Sequence, residues 1–111
     1  MEYQVGDGDE RVVWRLRQIR TATALYLEGL RMHHCVASYK FSCVYRGISI
    51  WSLTCEFPPG RLNRGVTLEL SRDGEIVQCR GFANRRPCEQ EVRIAKRWAG
   101  EYNLTWAVPD P

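Results

Sequence analysis

The sequence predicts an α+β domain: a mainly antiparallel β-sheet with two or three helices packed on one face. Three observations predict it. Runs of alternating apolar residues flank turn-rich segments at GDGDE and at Arg72-Asp73-Gly74-Glu75, the signature of hairpins. Residues 48–55 are rich in β-branched and aromatic side chains on both faces, as a central strand is. A charged stretch of helical period runs over residues 88–99 between Pro87 and Gly100, which read as start and stop signals.

In chain order, residues 3–5 and 11–19 form the first hairpin. In its second strand Val12, Trp14 and Leu16 alternate with Val13, Arg15 and Arg17, which turns a tryptophan face inward and an arginine face outward. Thr21 or Thr23 is placed to cap a short helix through its hydroxyl, and Gly29 stands where a C′ glycine would end it. A second helical stretch is expected over residues 36–46, closed by Gly47, with Cys35, Tyr39 and Cys43 on one face. The central strand is broken at EFPPG.

Residues 65–71 and 75–81 form the second hairpin. A two-residue Asp73-Gly74 turn pairs Leu70 with Val77, Glu69 with Gln78, Leu68 with Cys79 and Thr67 with Arg80. Val66, Leu68, Leu70, Val77 and Cys79 then share the apolar face, and Thr67, Glu69, Gln78 and Arg80 the polar one. In the last helix Pro87 suits the first helical position, and Glu89, Gln90 and Glu91 fill the first turn. Cys88, Val92, Ala95 and Ala99 make its buried stripe with Trp98 at the edge, and Lys96 and Arg97 fall in the last turn. Residues 104–108 add a short edge strand.

Composition sets the outer bounds. At 111 residues the chain suits one domain, 1–111, and 44% hydrophobic with 11% aromatic residues is the make-up of a folded protein. No apolar run approaches the roughly 18 residues of a membrane span. The opening MEYQVGDGDE is too acidic for a signal peptide, so a cytosolic location without membrane contact is expected. The net charge is only +3, yet 14 of the 16 basic residues are Arg, the better partner for phosphate. Five cysteines without a C-x-x-C read as reduced, mostly buried thiols; neither a metal nor another cofactor is expected.

Residues 25–39 carry the pattern L-x-x-E-G-x-x-M-x-H-C-V-x-x-Y. Cys43, Gly47, Ile50 and Ser52 follow in order, then Thr67 and Glu69, then Gln78, Gly81 and Asn84. This ordered set, spanning roughly residues 12–106, resembles the PcfJ-like proteins of conjugative plasmids, phages and other mobile elements. The resemblance implies an accessory domain associated with nucleic acid or with other mobile-element proteins.

Two kinds of chemistry compete for these residues. The first is catalytic. A Cys35 thiolate at a helix start beside His34, with Glu69, Gln78 or Asn84 to orient the ring, has the parts of a nucleophilic site. His34 alone is a candidate general base for a small hydrolase or nuclease-like reaction, with Glu69 and Gln78 positioning water or phosphate and Tyr39 as a second protic group. The second is binding, of single-stranded DNA or RNA, through Arg80, Arg85, Arg86, Arg93 and Arg97 with Phe82 to stack and Asn84 to offer an amide edge. The opposing bland readings are a packed cysteine and a solvated helix face with an ordinary Glu89–Arg93 pair. If there is one cleft, Thr67, Glu69, Gln78 and Arg80 face the His34-Cys35 helix start, with Glu69 or Gln78 in reach of His34 or Tyr39.

Overall fold

Each strand of the sheet lies beside the next one in the chain, in the order β1-β2-β3-β4-β5-β6. The computed structural model describes residues 1–6, 11–32, 47–57 and 60–109. Strands β1 (Glu2–Val5), β2 (Val12–Ile19), β3 (Ser49–Phe57), β4 (Arg61–Leu70) and β5 (Glu75–Arg80) pair antiparallel. Strand β6 (Thr105–Trp106) is parallel to β5, since helix α2 (Glu89–Glu101) returns the chain across the sheet between them. The class is α+β, with a mostly antiparallel sheet, as the hairpin signals predict.

Alternation builds the main core. Trp14, Leu16, Leu53, Cys55, Val66, Leu68, Ile76 and Cys79 bury one face of the sheet against Ile94, Ala95, Trp98 and Ala99 of α2. Each large side chain so buried contributes about 1.5–3 kcal/mol. Trp98 is itself buried in this layer, with its ring centroid 4.8 Å from that of Trp51.

Helix α1 (Ala22–Met32) lies on the other face, where its Glu28 accepts a hydrogen bond from Thr67. The two described helices therefore divide between the faces and do not share one. The reason is that the second face is not purely polar: Ile50, opposite Ile19 and Glu69, is fully buried there and needs its own cover. Thr21 caps α1 as expected, accepting the Ala24 N–H at 3.0 Å. Gly29 does not end the helix. It is buried within it, and the burial of Leu25, Glu28 and Met32 on the same side outweighs the cost of about 1 kcal/mol that a mid-helix glycine carries. Gly47 has a positive φ of 68°, as a helix-ending glycine would; the expected helix over residues 36–46 lies outside the described residues.

Two further boundaries differ from expectation. The β4–β5 turn is a three-residue loop, Arg72-Asp73-Gly74, closed by the Ser71 N–H donating to Glu75 O at 2.8 Å, with Gly74 at φ 83°. That loop pairs Leu70 with Ile76 in place of Val77, and a bulge then restores the expected pairs Glu69–Gln78, Leu68–Cys79 and Thr67–Arg80. Ile76 is the core residue here and Val77 is half-buried. In α2, Cys88 is an exposed N-cap outside the buried stripe, which puts Pro87 one position before the cap. Gly100 is helical; the stop is Asn103, at φ 56°, with the Leu104 N–H donating to Ala99 O at 2.8 Å. Lys96 and Arg97 consequently fall short of the last turn.

Between β3 and β4 the register shifts at Leu53/Thr54, and Gly65 is the extra residue. A Cβ there would stand 2.7 Å from the Leu53 carbonyl oxygen and 3.0 Å from Glu91 Oε2. Gly65→Ala should therefore destabilise the fold by about 1–3 kcal/mol, the range for an overpacked site. A lowered urea midpoint is the expected reading; an unchanged midpoint would show that the bulge has room to spare.

Candidate functional site

The second face of the sheet is organised in rows. Arg17 is opposite Ser52, Ser52 opposite Thr67, and Thr67 opposite Arg80. The neighbouring row runs Ile19, Ile50, Glu69, Gln78. Thus Thr67, Glu69, Gln78 and Arg80 do share a face, as the hairpin register requires. Thr67 is 2% exposed, and its hydroxyl donates to Glu28 Oε2 at 2.7 Å, from a carboxylate that is itself 5% exposed. Burying these groups unpaired would cost several kcal/mol, so the bond fixes where α1 can sit. Glu28 entered the sequence reading only as a motif letter. The signal that finds it is helical spacing: it shares a face with Leu25 and Met32.

Beyond β5 the chain turns sharply through a 3-10 turn, Phe82–Asn84, in which Ala83 and Asn84 take φ of 53° and 62°. Asparagine tolerates this left-handed conformation better than most residues, a structural reason for its place in the turn. The turn packs against α1, which carries Phe82 with it.

The next residue, Arg85, folds back over Gly81, where a Cβ would stand 2.4 Å from its guanidinium carbon. Its Nη1 and Nη2 each donate at 2.9 Å to a different carboxylate oxygen of Glu91, and Nη2 also donates to the Gly65 carbonyl at 3.1 Å. The Cys88 N–H adds a 2.8 Å bond to Glu91 Oε1, closing a capping box at the start of α2. Burial would raise the Glu91 carboxyl, but Arg85 and Cys88 outweigh it and hold the group below its usual value near 4.5. Arg85 is thereby a clamp between the β4 bulge, the turn and α2.

The other cations of this region separate into paired and unpaired. Arg93 bonds Glu89 at 3.2 Å, and Arg97 lies 3.5 Å from Glu101 and over the Tyr3 ring. Arg80 and Arg86 make no ion pair among the described residues. Together with Lys96 they surround a cleft of about 190 Å³ whose apolar wall is Val92, Val108 and Trp106. The Lys96 ammonium stands 5.5 Å from the Trp106 ring centroid. Among the described residues no carboxylate lines this cleft. The sequence reading offered Phe82 as the aromatic; Trp106 was not foreseen, because only the parallel return of β6 brings it beside β5.

The family model for PcfJ-like protein matches residues 9–95. The chain belongs to the PcfJ-like family. No curated protein and no solved structure matches it. Within the matched PcfJ-like segment, Ser52, Thr67, Glu69 and Gln78 lie on the second face of the sheet, and Gly81 and Asn84 shape the turn that places Arg85. His34, Cys35 and Tyr39 lie outside the described residues. Cys43 lies outside them too; of the described cysteines in the PcfJ-like chain, Cys55 and Cys79 are buried free thiols and Cys88 is exposed. Burial pushes the Cys79 thiol up to about 12, which leaves it protonated at neutral pH.

The clamp has a pH signature. Because the folded-state value of Glu91 is lowered, its stabilisation is complete above about pH 4.5 and is lost as pH falls through the folded value. Arg85→Ala should cost about 2–3 kcal/mol at pH 7, since it strands a buried carboxylate. That cost should shrink as pH falls below 4.5 and through the lowered folded value of the parent, beneath which Glu91 is protonated in both proteins. Urea unfolding of both proteins at the two pH values checks this; a small, pH-independent difference would contradict it.

Proposed function

We propose that this PcfJ-like chain is a cytosolic mobile-element accessory domain that contacts single-stranded nucleic acid through the Trp106 cleft. The observation that carries the reading is three cations, Arg80, Arg86 and Lys96, around an indole, with no carboxylate among the described residues of the lining. A carboxylate-free set of cations attracts a phosphate backbone, and an aromatic face stacks on an unpaired base whatever its identity. A duplex keeps its bases stacked inside and offers no free face to such a ring. At about 190 Å³ the cleft is smaller than pockets that enclose a whole small molecule, roughly 300 Å³ and above, and suits one ring at a time.

This reading changes the residues assigned to the surface. Arg86 and Arg80 stay, Lys96 and Trp106 join, and Arg85 leaves because its donors are already engaged. The second face of the sheet, with Thr67 tied to Glu28, serves in this account to hold α1 in place.

If three phosphates are neutralised, the logarithm of affinity for a labelled single strand should fall with the logarithm of salt at a slope of about −2. Arg80→Ala with Arg86→Ala should weaken binding and flatten the slope to about −0.7, whereas a duplex of the same length should bind more weakly than the single strand. Binding that ignores salt, or that survives the double substitution unchanged, would refute the assignment.

A further inference from the structure

A second opening, of about 540 Å³, lies between α1 and the β2–β3 flank of the sheet, away from the Trp106 cleft. Its size is that of a ligand site, and its chemistry differs from that of the cleft. Two carboxylates line it, and both are engaged: Glu56 with Arg15, which also holds Glu2, and Glu28 with Thr67. Two arginines line it without an ion pair among the described residues, Arg17 from β2 and Arg31 from α1. Arg17 stands directly opposite Ser52 in the strand register, and the Ser52 side chain also lines the opening.

The rim is apolar. Leu27 and Leu62 line the opening and are 38% and 55% exposed. Leu27 and Arg31 are four residues apart on α1 and share a helix face; Tyr26 and Leu30, each 55% exposed, extend the apolar surface along the helix. Solvent-exposed leucines adjoining guanidinia that have no ion pair among the described residues suit a partner that is apolar and acidic at once. A phosphate backbone fits poorly here. It would leave Leu27 and Leu62 uncovered.

The geometry points to this groove as the docking site for an acidic amphipathic segment of a partner protein. Apolar side chains of that segment cover Leu27 and Leu62, and its carboxylates take bidentate bonds from Arg17 and Arg31. The charge complement steers the encounter and sets the partner's orientation.

Selection from a displayed library of random dodecapeptides on the intact chain tests this. The expected result is enrichment of sequences that combine Asp or Glu with Leu, Ile or Phe. Their binding should fall about tenfold or more in Arg17→Glu with Arg31→Glu, and also in Leu62→Ser. Both variants alter exposed side chains, so their thermal midpoints should match that of the parent chain, and Leu62→Ser keeps the test decisive if the charge reversal unfolds. A single-stranded oligonucleotide should not displace the selected peptides. Three results would each overturn the proposal: no enrichment above background, enriched peptides that bind the variants as well as the parent, or displacement by the oligonucleotide, which would make the groove a nucleic-acid surface.

Discussion

A carboxylate that is 4% exposed must be answered by hydrogen bonds, and the way Glu91 is answered decides much of this structure. Arg85 reaches it only because Gly81 leaves room for the guanidinium and because Ala83 and Asn84 turn the chain back in the left-handed region. The same guanidinium meets the carbonyl of Gly65, the residue that bulges out of the β3–β4 ladder. One side chain thus ties an irregularity in the sheet to the start of the helix that covers the core. With α2 fixed at its N-terminus, Ile94, Ala95 and Trp98 fall over the sheet, and the helix returns the chain as β6 beside β5.

The chemistry available at the surface follows from that arrangement. Because Arg85 is committed inward, and Arg93 and Arg97 are matched by Glu89 and Glu101, few of the clustered arginines remain for a ligand. Those that remain converge where β6 delivers Trp106. On the far side of the sheet, the Thr67–Glu28 bond holds α1 down and leaves an opening along its flank. The two openings differ in kind: one is cationic with a half-buried aromatic wall, the other mixes charge with exposed leucines. A phosphate chain and an amphipathic peptide are different solutions to those two surfaces.

Much of the fold was legible in the sequence because its signals are local. Alternation placed Trp14 and Leu16 in the core, Thr21 capped α1, and the hairpin register put Thr67, Glu69, Gln78 and Arg80 on one face. The misreadings share a cause: a local signal was outvoted by burial elsewhere. Gly29 looked like a helix stop and is helical, since the apolar stripe of α1 continues past it to Met32; Gly100 is helical too, and the left-handed turn comes only at Asn103. Cys88 looked like a stripe residue and is a cap, because Ile94 and Trp98 set a different face inward. Sequence order put Arg85 among the binding arginines, and nothing local announces that a buried glutamate six residues later will claim it. Trp106 was hidden for the same reason, as its neighbours come from β5 and α2.

Of the four tryptophans in the chain, Trp14 and Trp98 belong to the central core and Trp51 and Trp106 pack against it, but only Trp106 stands among the cations of the cleft. A titration of the 15N-labelled chain with a short oligothymidine, followed through the four indole N–H resonances, is therefore the most direct measurement. The account predicts that the Trp106 resonance moves in a saturable, salt-sensitive manner while the other three stay in place. A titration in which Trp106 is unmoved, or in which all four shift together, would contradict it.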